Sequence, residues 1–371
     1  MTSVHKRYDT RIFQKMCRSL AKNGYDVTLL VMDDLPEETK DGVRIVPVPF
    51  KPKNRLDRIF HSGRKLLKKA VELDCDLYHF HDPELLPIGL RLKKLGKTVI
   101  YDSHEDYPGQ IREKKWIPSL FRPLVAWYVK QIENKVVHAI DAVICVTASS
   151  QQRFCERNYM AYKILNYPIL QGFVQSRNSS ETTLVYAGGV SRQWNHHKLI
   201  PLLVELPVQY DLSGPTNDGY LNELQALSGW EKVHYNGVIP FSEVIKHYAR
   251  ASIGVALLQY GCNTEWKKGT LGNTKIFEFM MAGLPVVATN FELWKPILER
   301  YHCGICVDVN NPDEIRDALR YLLNHPDEAK EMGCNGRRAV EQKFNWSVEE
   351  KKLLDLYGSV MQNRKKKLLS S

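Results

Sequence analysis

Short apolar runs of strand character alternate with helical stretches along this chain, and the alternation halts once and then restarts. The first set is "YDVTLLVMD", "VRIVPVPF" (weakened by Pro47 and Pro49), "DLYHFHD", "KTVIYDSHED", "DAVICVT" and "KILNYP". Between these runs the apolar residues fall at helical spacing, as Ile12, Met16 and Leu20 do after an Asp9 or Thr10 cap, with Asn23-Gly24 as the stop. Residues 167–182, rich in Ser, Thr, Gln and Asn, read as a linker. "TLVYAGG" then opens a second set that runs through "VQYDLSG", "KVHYNG" and "SIGVALL" to "GICVDV". Strand, helix, strand implies a parallel sheet flanked by helices. Two such sets in 371 residues predict two Rossmann-like α/β domains, 1–166 and 183–345, facing a central cleft. Met1 to Val4 reads as the tail of a first strand, short against the usual length of about five or six residues. Either that strand is stubby or residues upstream of Met1 have been lost.

Composition narrows the partners. No apolar window is long enough to span a membrane, and His5, Lys6, Arg7 and Asp9 interrupt any signal-peptide pattern. The eight cysteines are scattered, several within apolar runs, which suits free thiols in a reducing cytoplasm. Cys303-Gly-Ile-Cys306 has metal or redox spacing but no companion ligand set, and reads as the start of a strand. Residues 1–180 hold 30 Lys and Arg against 20 Asp and Glu, while the remainder is balanced. No nucleic-acid-binding motif accompanies that excess, so an anionic membrane surface is the expected partner. Two segments concentrate the charge. One is the helix from Arg55 to Leu73, with Ile59, Leu66 and Leu67 as its apolar side. The other, "IREKKWIPSLFRPLVAWYVK", interleaves bases with Trp116, Phe121, Trp127 and Tyr128.

In parallel α/β sheets, ligands gather beyond the C-terminal ends of the strands. The residues expected there are Arg7, Tyr8 and Asp9, then His81 and Asp82, then His104, and, in the second half, Gly188, Gly189, Ser191 and Arg192. His196-His197 reads as a solvated pair, since adjacent imidazoles cannot share one helix face. The stretch from Leu271 to Thr289 reads as loop, helix, turn and buried strand. Asn273 suits a cap, and Ile276, Phe277, Met280 and Met281 suit a buried helix face. Lys275 and Glu278, three apart, share another face: a cation for a phosphate and a carboxylate for a ribose diol.

"NTKIFEFMMAGLPVVATN" resembles the donor-binding signature of the retaining glycosyltransferases of family 4, which have the GT-B fold. The likeness covers nearly the whole chain. It implies that Glu278 is the second glutamate of an E-x-x-x-x-x-x-x-E motif and holds the ribose of a sugar nucleotide. Thr270 stands where the first glutamate falls, and Gly189 and Trp194 stand where an arginine and a lysine usually grip the diphosphate. Arg192, Asn273, Lys275 and, less well, Lys198 are the available polar groups. "YDSHEDYP" resembles the loop whose histidine meets the transferred sugar, here His104. The resemblance therefore implies His104 and Glu278 as catalytic residues. It implies Gly188, Gly189, Ser191, Arg192, Asn273 and Lys275 around the donor, and Arg7, Tyr8, Asp9, His81 and Asp82 toward the acceptor. It also implies no metal, no other cofactor, and a last helix within 346–371 that crosses back to the first domain. The expected activity is transfer, with retention, from a nucleotide-sugar to a lipid-linked saccharide of a bacterial surface polysaccharide, at the inner face of the plasma membrane. Two rivals share these features: a non-hydrolysing sugar-nucleotide epimerase, and a degenerate partner subunit that binds nucleotide without transferring.

Overall fold

The computed structural model describes residues 1–103, 107–112, 114, 117–157, 160–172, 182–261 and 264–369. They form two compact units: Met1–Asn166 with Trp346–Ser371, and Tyr167–Asn345.

The first unit contains seven strands: β1 (Val27–Val31), β2 (Glu38–Lys40), β3 (Val43–Pro47), β4 (Leu77–Phe80), β5 (Thr98–Ser103), β6 (Ala142–Cys145) and β7 (Ala161–Lys163). They make two sheets, β1-β3-β2 and β4-β5-β6-β7. The β1–β3 pair and every pair of the second sheet are parallel, whereas β2 joins β3 antiparallel. β5 and β6 are buried along their whole length, as expected of parallel strands covered on both faces. The helices are α1 (Arg18–Lys22), α2 (Arg55–Leu73), α3 (Leu86–Lys94), α4 (Tyr107–Ile111), α5 (Arg122–Ala139) and α6 (Ala148–Cys155). A π-helical stretch, Thr10–Cys17, leads into α1 and is capped by Asp9, whose carboxylate accepts from the N–H groups of Arg11 and Ile12. In place of a strand at Met1 to Val4 there is a single parallel bridge, Thr2 to Val31. The C-terminal helix Trp346–Leu369 returns to this unit. Its Trp346 indole donates to Ser19 at 2.8 Å, and Glu349 accepts from the Leu165 N–H at 2.8 Å.

The second unit is one parallel six-stranded sheet in the order β10-β9-β8-β11-β12-β13. Its strands are β8 (Thr182–Ala187), β9 (Val208–Ser213), β10 (Val233–Tyr235), β11 (Ile253–Ala256), β12 (Val286–Thr289) and β13 (Gly304–Val307). Its helices are α7 (His196–Leu199), α8 (Asp218–Gln225), α9 (Phe241–Arg250), α10 (Lys275–Met281), α11 (Lys295–Arg300), α12 (Pro312–Asn324) and α13 (Pro326–Gln342). The chain builds outward from β8 to β10, then returns to lay β11 on the other side of β8. The β8–β11 junction is therefore the topological switch point, where the loops diverge and leave a crevice. α10 buries Ile276, Phe277, Phe279, Met280 and Met281, close to the predicted face. Cys303 is buried immediately before β13, and the described cysteines are all free thiols. Tyr167, within the expected linker, is buried edge-on against Phe277, with ring centroids 4.7 Å apart.

Candidate active site

In the second unit the switch point carries the glycine loop. Gly188 donates its N–H to the Ser213 carbonyl at 2.9 Å, which ties the ends of β8 and β9 together. A Cβ built on Gly214 (φ +135°) would fall 1.7 Å from the Gly188 carbonyl oxygen, so neither loop tolerates a side chain at Gly214. A Cβ on Gly188 would lie 2.7 Å from the Tyr186 hydroxyl and 3.0 Å from Lys275 Cε. Gly188 thus abuts the lysine singled out in the sequence, while the Gly189 Cβ direction is open.

Lys275 and Glu278 project from the same side of α10. Lys275 Nζ donates to Glu278 Oε2 at 2.6 Å, the Thr274 hydroxyl donates to Oε1 at 2.6 Å, and the Tyr248 hydroxyl donates to Oε2 at 3.1 Å. The Glu278 side chain is only 14% exposed. Burial alone would raise its pKa. Lys275 and the two hydroxyls outweigh that, so the carboxyl sits below its ordinary value and stays ionised. Burial, reinforced by Glu278, pushes the Tyr248 phenol well up, so it remains a donor. A carboxylate offers about four acceptor positions, and three are taken, so one is left for an incoming hydroxyl while Lys275 stays in place. Asn273 Oδ1 accepts from the Lys275 N–H at 3.1 Å, and the Thr270 hydroxyl accepts from the Gly272 N–H at 3.0 Å. Both side chains shape the turn into α10.

The other cations expected here are engaged elsewhere. Arg192, beside Ser191, is exposed, pairs with Glu223 and lies over the Tyr220 ring. Lys198 donates to the Val309 carbonyl and to Asn310 and Gln259. Trp194 packs on Tyr186, ring centroids 5.0 Å apart. The solvated reading of His196-His197 is overturned. His196 is buried against the Tyr210 hydroxyl at 2.9 Å, and His197 meets the Tyr220 hydroxyl at 3.1 Å. Consecutive helical positions point in different directions, and here each direction ends on a tyrosine.

In the first unit the strand-end residues divide into three groups. Asp82 accepts from the Thr2 hydroxyl at 2.8 Å and the Ser3 N–H at 2.6 Å, and its other oxygen lies 3.3 Å from His5 Nε2. The other His5 ring nitrogen lies 3.3 Å from Asp9. Burial raises the Asp9 pKa, but His5 and two backbone N–H groups outweigh it and hold the carboxyl at about 2. Asp9, His5 and Asp82 thus form a partly exposed anionic chain. Beneath it, Asp102 is fully buried and takes two 2.9 Å bonds from Arg11, with His81 Nδ1 3.2 Å away. The third group corrects an expectation. Arg7 is buried and spends its five N–H donors on Asp33, Glu38 and the carbonyls of Leu35 and Pro36, leaving none for an acceptor. Tyr8, half-exposed, donates to the same Glu38. His104, with Glu105 and Asp106, lies outside the described residues.

One group among the described residues could reach a metal ion: ligand atoms of His79, His81 and Asp102 lie within 4.8 Å of one another. It does not fit the role. Arg11 already supplies the positive charge to Asp102, and His79 Nδ1 meets the Tyr357 hydroxyl at 2.9 Å.

The model of Glycosyltransferase Family 4 matches residues 10–164, and that of Glycosyl transferases group 1 matches residues 171–339. The chain belongs to the group 1 glycosyltransferases. A curated relative, the D-rhamnosyltransferase WbpZ of Pseudomonas aeruginosa, is 22% identical over 308 residues, covering 77% of this chain and 73% of its own. The sucrose-phosphate synthase of Thermosynechococcus elongatus superposes with a TM-score of 0.73 at 17% identity, covering 94% of this chain and 92% of that one. Anabaena HepE, solved with UDP and glucose, gives 0.70 at 15% identity over 92% and 94%. These structures establish the GT-B fold.

Within this glycosyltransferase, sequence reasoning missed Thr274, Tyr248 and Tyr186. Thr274 adjoins Lys275 and was open to inspection. Tyr248 lies 30 residues earlier on α9, and nothing local marks its hydroxyl as a partner of Glu278.

Proposed function

We propose that the enzyme transfers a sugar, with retention at the anomeric carbon and without a metal ion, from a nucleoside diphosphate sugar to a hydroxyl of a lipid-linked saccharide. The observation that carries this reading is the Lys275–Glu278 pair, held beside Gly188 at the switch point. Cleavage of the sugar–phosphate bond builds negative charge on the departing diphosphate. Lys275 is placed to meet that charge, and Glu278 to accept from the ribose. The family likeness and the sugar-transferring relative support this assignment, and His104 is proposed to meet the transferred sugar. The decisive experiment incubates the protein with a panel of nucleotide sugars and a lipid-linked acceptor, then reads the product linkage by NMR. A product of inverted configuration overturns retention. Interconversion of the donor sugar without acceptor supports an epimerase instead, and nucleotide binding without turnover supports a degenerate subunit.

We further propose that the first unit docks on an anionic membrane. No described helix is long and apolar enough to cross one. Leu120, Phe121, Leu124, Trp127 and Tyr128, at i, i+1, i+4, i+7 and i+8, are all exposed along α5 and the turn before it, while Ala126, Val136 and Val137 face inward. Arg112, Lys130 and Lys135 are exposed along the same region. The helix α2 contributes differently: its Leu66 and Ala70 are buried in the core and so are not turned toward a membrane. Liposome flotation tests the surface. Binding should require anionic lipid and fall in Trp127→Ser with Leu124→Ser; equal flotation with neutral vesicles, or none at all, refutes it.

A further inference from the structure

The segment between β11 and α10, residues 257–274, is far longer than the roughly two to six residues that usually join a strand to a helix in such sheets. It leaves β11 at its C-terminal end, where ligands of parallel sheets gather, and delivers the chain to Lys275 and Glu278. Ordered loops of this length in a compact domain usually serve a ligand.

The middle of the loop is firmly held. The Trp266 N–H donates to the Gly261 carbonyl at 2.9 Å, and the buried Thr264 hydroxyl accepts from the Gly261 N–H at 3.0 Å. From the loop after β12, the Glu292 and Leu293 N–H groups donate to the carbonyls of Lys267 and Lys268 at 2.9 Å. The Trp294 indole donates to the Thr270 carbonyl at 2.8 Å. Gly269, at φ +79°, has no room for a side chain, since a Cβ there would fall 2.5 Å from Phe291 Cβ.

This frame forces an unfavourable backbone. Glu265 (φ +49°) and Trp266 (φ +58°) are both left-handed, the one adjacent pair of non-glycine residues in that region among the described residues. Cβ crowds the following carbonyl there, and tryptophan lacks the short polar side chain by which Asn or Asp compensates. The strain does not serve burial, because Trp266 is 63% exposed. A lone exposed apolar residue is ordinary. A tryptophan held exposed in a conformation that disfavours it is not, and backbone strain of this kind collects where ligands are held.

The neighbours of Trp266 narrow the ligand. Lys267 is exposed, and Lys268 donates to Glu265 at 2.7 Å, so the indole stands among charges rather than within an apolar patch. That surface suits neither a bilayer nor the core of a protein interface. It suits a pyranose ring, whose C–H face packs on an indole while its hydroxyls bond polar groups at the rim. The donor already has Lys275 and Glu278 for its diphosphate and ribose. An uncharged acceptor sugar has no such handle, and stacking supplies affinity without demanding one pattern of hydroxyls.

We propose that Trp266 is a stacking platform for a pyranose ring of the acceptor saccharide, presented by the loop that leads into the donor-binding helix; this rests on the reading of the enzyme as a sugar transferase.

The test uses the full chain with Trp266→Ala, Trp266→Phe and Trp266→Gly. Saturation-transfer NMR and titration with a panel of methyl pyranosides and disaccharides, without donor, read saccharide binding directly. Binding should weaken about ten-fold in the alanine and glycine variants, with phenylalanine intermediate. The Kd for UDP, GDP or ADP should stay within about two-fold of wild type. Tm should hold or rise in Trp266→Gly, because glycine adopts φ +58° freely. Undiminished saccharide binding in Trp266→Ala overturns the proposal, and so does a wild-type protein that transfers saturation to a nucleotide but to no saccharide. An equal fall in nucleotide affinity overturns the assignment to the acceptor. A Tm lower by about 5 °C or more in Trp266→Gly overturns it too, by showing that the indole supports the fold. If no donor is turned over while glycosides still bind through Trp266, the transferase reading fails and the platform stands.

Discussion

Replacing Glu278 by glutamine tests the donor site most directly. The carboxylate accepts from Lys275 at 2.6 Å, Thr274 at 2.6 Å and Tyr248 at 3.1 Å, leaving one acceptor position for the ribose. Glutamine keeps the shape and one acceptor oxygen. The two hydroxyls can rotate to suit the amide, but Lys275 cannot, so the oxygen should stay with Lys275 and the fold should survive. What disappears is the charge on the bond to the ribose. A charge-assisted bond is worth about 1.5–3 kcal/mol and a neutral one about 0.5–1.5 kcal/mol, so the loss is about 1–2 kcal/mol. That corresponds to a roughly five- to thirty-fold weaker Kd for the nucleoside diphosphate, mirrored in kcat/KM for the donor. Calorimetric titration with UDP, GDP and ADP supplies the first number and steady-state kinetics the second. Glu278→Ala should in addition lose stability, because Tyr248 and Lys275 are left without their acceptor. A glutamine variant with wild-type affinity and wild-type kcat/KM would refute the assignment of Glu278 to the ribose.

Arg11→Ala should cost about 3–5 kcal/mol, because it leaves the Asp102 carboxylate buried without its cation; a Tm within 2 °C of wild type contradicts this. Below pH 6.5 the protein should lose stability through His196. Burial lowers its folded pKa to about 3, so between pH 6.5 and 3 the unfolded chain binds the extra proton and stability falls as pH falls. His196→Phe should flatten that slope, by up to about 1.4 kcal/mol per pH unit, in urea titrations across the window. Transferase activity should survive EDTA, and a loss rescued by Mg²⁺ would show that a metal takes part.

The strands were readable because parallel sheets buried on both faces need continuous apolar runs, and "TVIYDS" and "AVIC" are such runs. Lys275 and Glu278 were readable for a similar reason: spacing along a short helix fixes which side chains are neighbours. Arg7 was not. It looked like a free cation at a strand end, and its acceptors arrive 26 and 31 residues later, Asp33 from the loop after β1 and Glu38 from the start of β2. His196 escaped because its partner Tyr210 lies on a strand, and burial is decided by the sheet rather than by the histidine's neighbours in sequence. Leu66 carried the same ambiguity. An apolar helix face looks alike whether it is turned toward a lipid or toward a core.

The return of the last helix to the first unit bears on how the chain is made. The second unit is continuous in sequence, so a ribosome releases all of it before Trp346 appears. The first unit emerges earlier but waits, because Ser19 meets Trp346, Leu165 meets Glu349 and His79 meets Tyr357, partners up to 327 residues downstream. Domains generally fold as units during synthesis. Vectorial synthesis should therefore let the later half close on itself first, while the earlier half stays open to chaperones until termination. A stop codon anywhere in the final helix would damage the beginning of the protein more than its middle.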